Sequence, residues 1–435
     1  MKRVLIITYY WPPFGGSGVQ RWLKFVKYLN DFGYSPVVYT PENPEFMSVD
    51  QTLFKDIPHG TEVIKNRIVE PYSLYKFFTG KKSSDIKPGY IKPQKISYLS
   101  SLKESLSLFI RGNLFIPDPK ILWLHPSIKY LNRYLKDNPV NIVVSTGPPH
   151  SMHLIAKKIS KQHSIPWIAD FRDPWTQMFN FKHLKHTWFA KKIHQRLEKG
   201  VLDSADIIVT VSPTIRDQFA SMSKSRVEVI TNGYDCSDFD SSETILDDTF
   251  SITYTGLFMV GQNPTVLWRA LSAKCDADPN FKRDLRIKLA GNIDISIINQ
   301  IEFYGLKENL FNLGYLPHKE VVRLQKESRV LLLSLGMEPE AKGIMTGKFF
   351  EYIATKRPIL AFGPKGGDMD LIMESSGFGN LVDFEDYRKT MEFIDLRYSN
   401  YCNGNTDYID SDASKFSRKS LTKDLVFLMD SLIDK

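Results

Sequence analysis

The sequence predicts an α/β protein made of two Rossmann-like domains, each built on a parallel sheet. Short apolar runs alternate with longer amphipathic stretches along the chain. Several runs are continuously rich in Val, Ile and Leu, as in strands buried on both faces of a parallel sheet. Most end in Gly, Ser, Thr or Asn, at the carboxyl edge where open α/β sheets bind their ligands. A length of 435 residues exceeds one ordinary core and favours two domains.

The first set of strand candidates is "VLIITY", "SPVVYT", "TEVIKN", "NIVVSTG", "PWIADF", "DIIVTVS" and "VEVITNG". A polar, acidic interval follows between Asp235 and Phe250. The rhythm then resumes with "ITYTG", "LRIKLAG", "NLFNLGYL", "VLLLSLG", "PILAFG" and "NLVDF". These runs predict an N-terminal domain over 1–240 and a C-terminal domain over 250–412. Residues 413–435 form an amphipathic helix expected to pack back across the N-terminal domain. A long connection separates "TEVIKN" from "NIVVSTG", and such insertions usually carry function or lack order.

Composition is that of a globular protein, with 42% hydrophobic and 24% charged residues. Cys236, Cys275 and Cys402 are odd in number and far apart, so they form neither a disulfide framework nor a metal pair. That pattern fits a reducing cytoplasm. The opening "MKRVLIITYYWPP" lacks a small-residue cleavage site and reads as a first strand rather than a signal peptide. No apolar run is long enough to span a bilayer.

Net charge is +8, which admits nucleic acid, an anionic membrane or phosphorylated substrates. No nucleic-acid module signature is present. The insertion at 73–120 mixes nine basic residues with "YKFF" and "LSLFIRGNLF". A second basic stretch, "FKHLKHTWFAKKIHQRLEKG", has a helical pattern. Basic charge among bulky apolar residues suits a membrane interface; a solvated helix face backed by the core reads the same way.

Several strand ends carry residues with chemical content. "PPFGGSGVQR" places Gly15, Gly16 and Ser17 between the first strand and a helix, where backbone comes close to a ligand and helix-start amides face an anion. Arg21 stands where the dinucleotide fingerprint needs Gly or Ala, which disfavours NAD. "STGPPHSMH" brings His150 to a helix start, with His153 one turn on; no cysteine or carboxylate nearby completes a metal site. "DFRDPW" clusters Asp170, Arg172 and Asp173 with Trp175, a set suited either to a sugar hydroxyl or to an ion pair that fixes the loop. In the second half, Gly256 follows a strand, and "GYLPHKE" sets Tyr315 and Leu316 at another strand end. "GIMTGKFFEYIATKRPILAFG" puts Thr346, Gly347 and Lys348 at a helix start with Glu351 one turn later. It falls short of a Walker loop because Gly343 and Gly347 are too close and Phe349 replaces the metal-binding hydroxyl.

Taken in order, "PPFGGSGVQR", "DFRDPW", "VSP", "ITNGYD" and "TGKFFEYIATKRPILAFG" resemble the family 4 retaining glycosyltransferases, over nearly the whole chain. The resemblance implies the glycosyltransferase B fold, two Rossmann-like domains facing a central cleft. It implies a nucleotide-diphosphate sugar as donor, bound mainly by the C-terminal domain, and no metal or other cofactor. It implies that Glu351 accepts from the ribose hydroxyls and that Thr346 and Gly347 present backbone groups to the diphosphate, with Lys348 adding charge. Gly256 would admit a phosphate, Tyr315 and Leu316 would border the base, and Gly15, Gly16 and Ser17 would approach the donor. Asp170, Arg172, Asp173 and His150 form the expected acceptor-side catalytic group.

The sequence departs from the family in two places on the donor side. Gly343 stands where the first glutamate of the Glu-x7-Glu motif is expected. The loop "TGLFMVGQNP" offers Leu257 and Gln262 in place of a basic pair. The acceptor is expected to be a saccharide or a lipid-linked saccharide, in cell-surface polysaccharide assembly, at the cytoplasmic face of the membrane. A nucleotide-sugar epimerase on the same fold and a non-catalytic nucleotide-sugar-binding protein at the membrane are the competing readings.

Overall fold

The computed structural model describes residues 1–44, 49–70, 109–110, 112–178, 181, 184–239 and 245–434, with only the backbone of Ser17. Most of the basic aromatic insertion at 73–120 therefore lies outside the described residues. The chain divides into two units, Met1–Ile230 with Thr422–Lys435, and Thr231–Leu421. The division precedes the acidic interval at Asp235 to Phe250.

The first unit is a seven-stranded parallel sheet in the order β3-β2-β1-β4-β5-β6-β7. Its strands are β1 (Lys2–Ile7), β2 (Tyr34–Pro41), β3 (Glu62–Asn66), β4 (Ile142–Gly147), β5 (Trp167–Phe171), β6 (Ile207–Thr210) and β7 (Arg226–Val229). Val4 to Ile7, Ile142 to Val144 and Trp167 to Ala169 are fully buried, as continuous apolar runs require. Among its helices are α1 (Ser17–Leu29), α2 (Leu124–Asp137), α3 (Ser151–His163), α4 (Trp188–Leu202) and α5 (Pro213–Met222). α1 buries Val19, Trp22, Leu23, Val26 and Leu29 on one stripe. Each such side chain contributes roughly 1.5–3 kcal/mol of transfer free energy.

The helical pattern of "FKHLKHTWFAKK" becomes α4 only from Trp188, because the Thr187 hydroxyl caps it, accepting from the Ala190 amide at 3.2 Å. At the border of the insertion, the Lys120 ammonium pairs with Glu70, which also accepts from the Tyr9 hydroxyl at 2.5 Å. The two ends of the 71–119 connection are thereby held together under the carboxyl end of β1.

The second unit carries β8 (Phe250–Thr255), β9 (Leu285–Ala290), β10 (Leu310–Gly314), β11 (Val330–Ser334) and β12 (Ile359–Phe362), all parallel, in the order β10-β9-β8-β11-β12. The candidate strand "NLVDF" is not a sixth strand. Val382 makes one isolated bridge to Phe362 and pairing stops there. Helices of this unit are α6 (Cys236–Phe239), α7 (Thr265–Ala277), α8 (Pro279–Asp284), α9 (Ile295–Phe303), α10 (His318–Glu327), α11 (Gly347–Thr355), α12 (Asp368–Ser375) and α13 (Tyr387–Cys402). The last helix, α14 (Arg418–Ile433), leaves the second unit and from Thr422 belongs to the first. There Asp430 pairs with Lys2 at 2.7 Å and accepts from the Tyr34 hydroxyl at 2.7 Å.

Both sheets reverse their winding direction once, between β1 and β4 and between β8 and β11. The loops leaving those strands flank the two switch points, where open α/β sheets form ligand crevices.

Candidate functional site

The carboxyl edge of the first sheet is organised by Asp170, at the end of β5. Its carboxylate is 1% exposed and pairs with Arg21 of α1, also 1% exposed, at 2.9 Å. It also accepts from the Trp22 indole at 2.7 Å and the Thr146 hydroxyl at 2.8 Å. Arg21 donates in turn to the Ile230 carbonyl at 2.9 Å. Asp170 is thus a closed interior node tying α1, β4, β5 and the end of the first unit, with its oxygens already engaged. The ion-pair alternative seen in the sequence describes it, with Arg21 as the partner rather than Arg172.

Arg172 spans three carbonyls. It donates to Gly18 at 2.6 Å, to Pro148, and to Gly147 at 3.4 Å, and it stacks over the Tyr10 ring at 5.3 Å. The glycine loop after β1 is therefore bolted to the end of β4. Gly15 is partly exposed and Gly16 exposed; the Ser17 side chain lies outside the described residues.

Asp173 differs from Asp170. It is half-buried and makes no hydrogen bond with the described residues. Burial raises its pKa above the usual carboxylate range, against the opposing pull of Arg172. The loop behind it is pinned by the fully buried Glu198 of α4, which accepts from the Thr176 hydroxyl at 2.5 Å and its amide at 3.2 Å. Sequence reading missed Glu198, because nothing at "HQRLEKG" marks a helical glutamate as turned inward.

His150 is interior as well, stacked on Trp175 with ring centroids 4.6 Å apart. Its Nδ1 is buried with no hydrogen-bond partner among the described residues. His153 bonds Ser145 through Nδ1 at 2.8 Å, while its buried Nε2 has no partner among the described residues. His194 accepts from the Trp175 indole at 3.1 Å, and its Nε2 likewise has no partner among the described residues. Burial lowers all three pKa values, well below the usual imidazole range for His150, to about 3 for His153 and to about 4 for His194. The rings are neutral at physiological pH. Among the described residues, no group of three or more His, Cys, Asp or Glu could hold a metal ion.

On the outer surface of the same unit, Trp188 and Phe189 at the start of α4 are 72% and 65% exposed. Asn113 accepts from the Thr187 amide at 2.7 Å, joining the segment that carries the exposed Phe109 and Leu114 to the start of this helix. Lys185, Lys191 and Lys192 are exposed in the same stretch of chain, with Lys192 over the Trp188 ring at 4.7 Å.

In the second unit, three strand ends meet through glycines. The Gly256 amide donates to Ala290 at 2.7 Å and the Gly291 amide to Gly314 at 2.6 Å. Gly291 has φ +123°, and a Cβ there would stand 2.2 Å from the Gly256 carbonyl oxygen. Lys348 reaches this edge from the first turn of α11. Its ammonium donates to the Tyr254 hydroxyl at 2.5 Å and the Leu257 carbonyl at 3.0 Å, and lies 4.1 Å from the Tyr254 ring centroid. Burial lowers its pKa to about 7, against the pull of Glu351.

Glu351 follows one turn later and is half-buried. One oxygen accepts from the Gln325 amide at 3.1 Å, and Gln325 also donates to Thr255 at 3.1 Å. The second oxygen has no partner among the described residues. Thr346 is the N-cap of α11 without a side-chain cap bond, and the position of a Gly347 Cβ has nothing within 4 Å. Tyr315 is exposed and Leu316 half-buried at the end of β10. The second sheet edge thus gathers Gly256, Lys348, Glu351, Thr346 and Gly347. Tyr254, Gly291 and Gln325 were not singled out from the sequence. Gly291 was the findable one, since "LRIKLAG" ends in the same strand-to-glycine step as "ITYTG".

Residues 101–238 match the family model described as Glycosyltransferase Family 4. No curated protein matches the chain by sequence. Among solved structures, the chain is similar to sucrose-phosphate synthase from Thermosynechococcus elongatus, at 12% identity and TM-score 0.64 over 100% of both chains. It is similar to a mutant of TarM from S. aureus in complex with fondaparinux, alpha-GlcNAc-glycerol and UDP, at 11% identity and TM-score 0.58 over 99% of this chain and 100% of that one. It is also similar to WaaG, a glycosyltransferase involved in lipopolysaccharide biosynthesis, at 12% identity and TM-score 0.54 over 99% of both chains. The chain has the two-domain glycosyltransferase B fold, and its residues 101–238 carry the Glycosyltransferase Family 4 match.

Proposed function

We propose that the protein transfers a sugar from a nucleotide-diphosphate sugar to a saccharide or lipid-linked saccharide acceptor, with retention at the anomeric carbon. The observation that carries this reading is the carboxyl edge of the second sheet. There an oriented carboxylate with one unengaged oxygen, Glu351, follows one turn after an uncapped helix start and a lysine. A vicinal diol fits the carboxylate, and a diphosphate fits helix-start amides beside a cation. In this scheme Glu351 holds the ribose, Thr346, Gly347 and Lys348 meet the diphosphate, and Tyr315 and Leu316 border the base. The donor is the substrate, and no resident cofactor takes part.

The first unit supplies the acceptor side. Asp173 is the acid–base group, and Asp170, Arg172 and His150 set its surroundings. Gly15, Gly16 and Ser17 form the loop that approaches the donor. Preorganised donors stabilise the leaving diphosphate as charge develops on it.

The acceptor belongs to cell-surface polysaccharide assembly in this reading, which places the protein in the cytoplasm against the inner membrane face. The exposed Trp188 and Phe189, with exposed Lys185, Lys191 and Lys192 nearby in sequence, support such contact, since exposed apolar side chains among basic ones suit an anionic bilayer surface. Among the described residues, no helix is long and apolar enough to cross a membrane.

A thermal-shift screen of nucleoside diphosphates and their sugars tests the donor site. One base class should raise the melting temperature, because a ligand that binds only the folded state stabilises it. No shift with any of them would refute the reading. Anomeric analysis of the product by NMR then decides retention.

A further inference from the structure

We propose that Gln325 is a positioning residue for the Glu351 carboxylate, fixing the plane in which its two oxygens meet a ribose diol. The assignment rests on the nucleotide-sugar reading and adds to it a residue from another helix.

A fully buried glutamine calls for a reason, because Gln is mostly an exposed residue type. Gln325 is fully buried on α10. Its Nε2 donates to the Thr255 hydroxyl at 3.1 Å and to Glu351 Oε2 at 3.1 Å. Both amide protons are thereby used. Its Oε1 is buried and has no hydrogen-bond partner among the described residues. A buried acceptor left unpaired lowers stability. Turning the amide over would set that oxygen against the Glu351 carboxylate. The fold thus keeps the nitrogen on Glu351 and leaves the oxygen unpaired.

The nitrogen is anchored on its other side as well. Thr255 ends β8, and its own amide donates to the hydroxyl of Tyr352 at 3.1 Å, the residue after Glu351 in α11. The end of β8, α10 and α11 therefore meet in one network, Tyr352–Thr255–Gln325–Glu351. Glu351 is half-buried, forms no ion pair among the described residues, and keeps Oε1 unengaged.

The last torsion of a glutamate side chain is broad and weakly restrained. One hydrogen bond on Oε2 restricts it and leaves about three of its roughly four lone-pair sites open. A vicinal diol presents two O–H donors at a fixed spacing, and a carboxylate already held in one plane accepts both with less loss of freedom. A lysine or arginine at position 325 would hold Glu351 too, but as an ion pair that competes with the diol. A neutral amide orients the carboxylate without neutralising it. Gln325 touches no ligand in this scheme and acts through Glu351.

The test is calorimetric titration of the full chain with UDP, GDP and ADP and with their 2′,3′-dideoxy counterparts. Wild-type protein should bind one ribonucleotide, and its dideoxy counterpart more weakly. Gln325→Leu should weaken the ribonucleotide by about 5- to 10-fold, as expected for one freed side chain, and change the dideoxy ligand by less than about twofold. Glu351→Ala should remove the ribose preference. Adding Gln325→Leu to it should then weaken binding no further, as for residues that act through one contact. Melting temperatures report the folding of each variant. If Gln325→Leu does not fold, the isosteric Thr255→Val frees the same amide from its other side and should weaken the ribonucleotide selectively, by about twofold or more. Equal weakening of both ligands, or additive losses in the double variant, would make Gln325 a structural tie and overturn the assignment. An undiminished ribose preference in the folded variant would overturn it too. Equal binding of ribo and dideoxy ligands by the wild type would overturn the ribose role of Glu351 and that of Gln325 with it. Wild-type protein that binds none of the ligands would overturn the nucleotide-sugar reading itself.

Discussion

Arg172 donates to the Gly18 carbonyl at 2.6 Å, joining two segments that lie 154 positions apart. One guanidinium plane reaches Gly18, Pro148 and Gly147 at once, so it fixes the glycine loop relative to the end of β4. A lysine offers a single point charge and cannot replace that fork. Arg172→Lys should destabilise the first unit by about 1–3 kcal/mol. Amide exchange in α1's first turn should accelerate in the same variant. Unchanged exchange there would show that the loop is rigid without Arg172.

Asp170 and Asp173 stand three positions apart and should respond oppositely to substitution. Asp170 pairs with Arg21 inside the protein, and removing one partner of a buried pair costs about 3–5 kcal/mol. Asp170→Ala should therefore unfold the first unit at a lower denaturant concentration. Asp173 is different, because burial raises its pKa and its ionised form is disfavoured in the fold. Asp173→Asn relieves that cost, so stability should hold or rise while transfer falls by about 100-fold or more. In the wild type, the acidic limb of the pH–rate profile should lie above the ordinary carboxylate range. A stable, fully active Asp173→Asn would remove it from the chemistry.

How much of this was legible follows from which interactions are local. Continuous apolar runs such as "VLII" and "NIVV" marked strands correctly, because burial on both faces is written into each residue. "NLVDF" misled, since a strand also needs a partner in register and Val382 finds one for a single bridge. The cluster at "DFRDPW" was visible, but not which acid turns inward. That is decided by Arg21 and Trp22, on a helix near the other end of the first unit. Likewise "TGKFFE" announced a lysine at a helix start, whereas its phenol partner Tyr254 lies 94 positions away.

The glycine contact between strand ends gives a sharp stability prediction. A Cβ on Gly291 would overlap the Gly256 carbonyl oxygen at 2.2 Å, and φ +123° is strained for any L side chain. Gly291→Ala should cost about 3 kcal/mol or more, seen as a lower melting temperature of the second unit. Gly347 is the contrast. With nothing within 4 Å, Gly347→Ala should fold normally. Its effect on nucleoside diphosphate affinity would then report whether a ligand fills that space. Equal melting temperatures for the two variants would mean that the strand ends can move apart.

His150, His153 and His194 make the first unit sensitive to acid. Each is neutral in the fold, with Arg172 adding repulsion against a charged ring at His150 and His153. Unfolded histidines take up protons near pH 6.5, but the folded ones resist until about 3 for His153 and about 4 for His194. Between those limits the unfolded chain binds more protons, so stability rises with pH across the window. It should be fully present above about pH 6.5 and should fall as pH drops below it, by up to about 1.4 kcal/mol per unit for each histidine. Urea unfolding followed by Trp167 and Trp175 fluorescence at several pH values measures the slope. His153→Gln keeps a side chain able to bond Ser145 but cannot protonate, so its slope should be smaller by one proton. A slope equal to that of the wild type would show that His153 exchanges protons freely in the folded state.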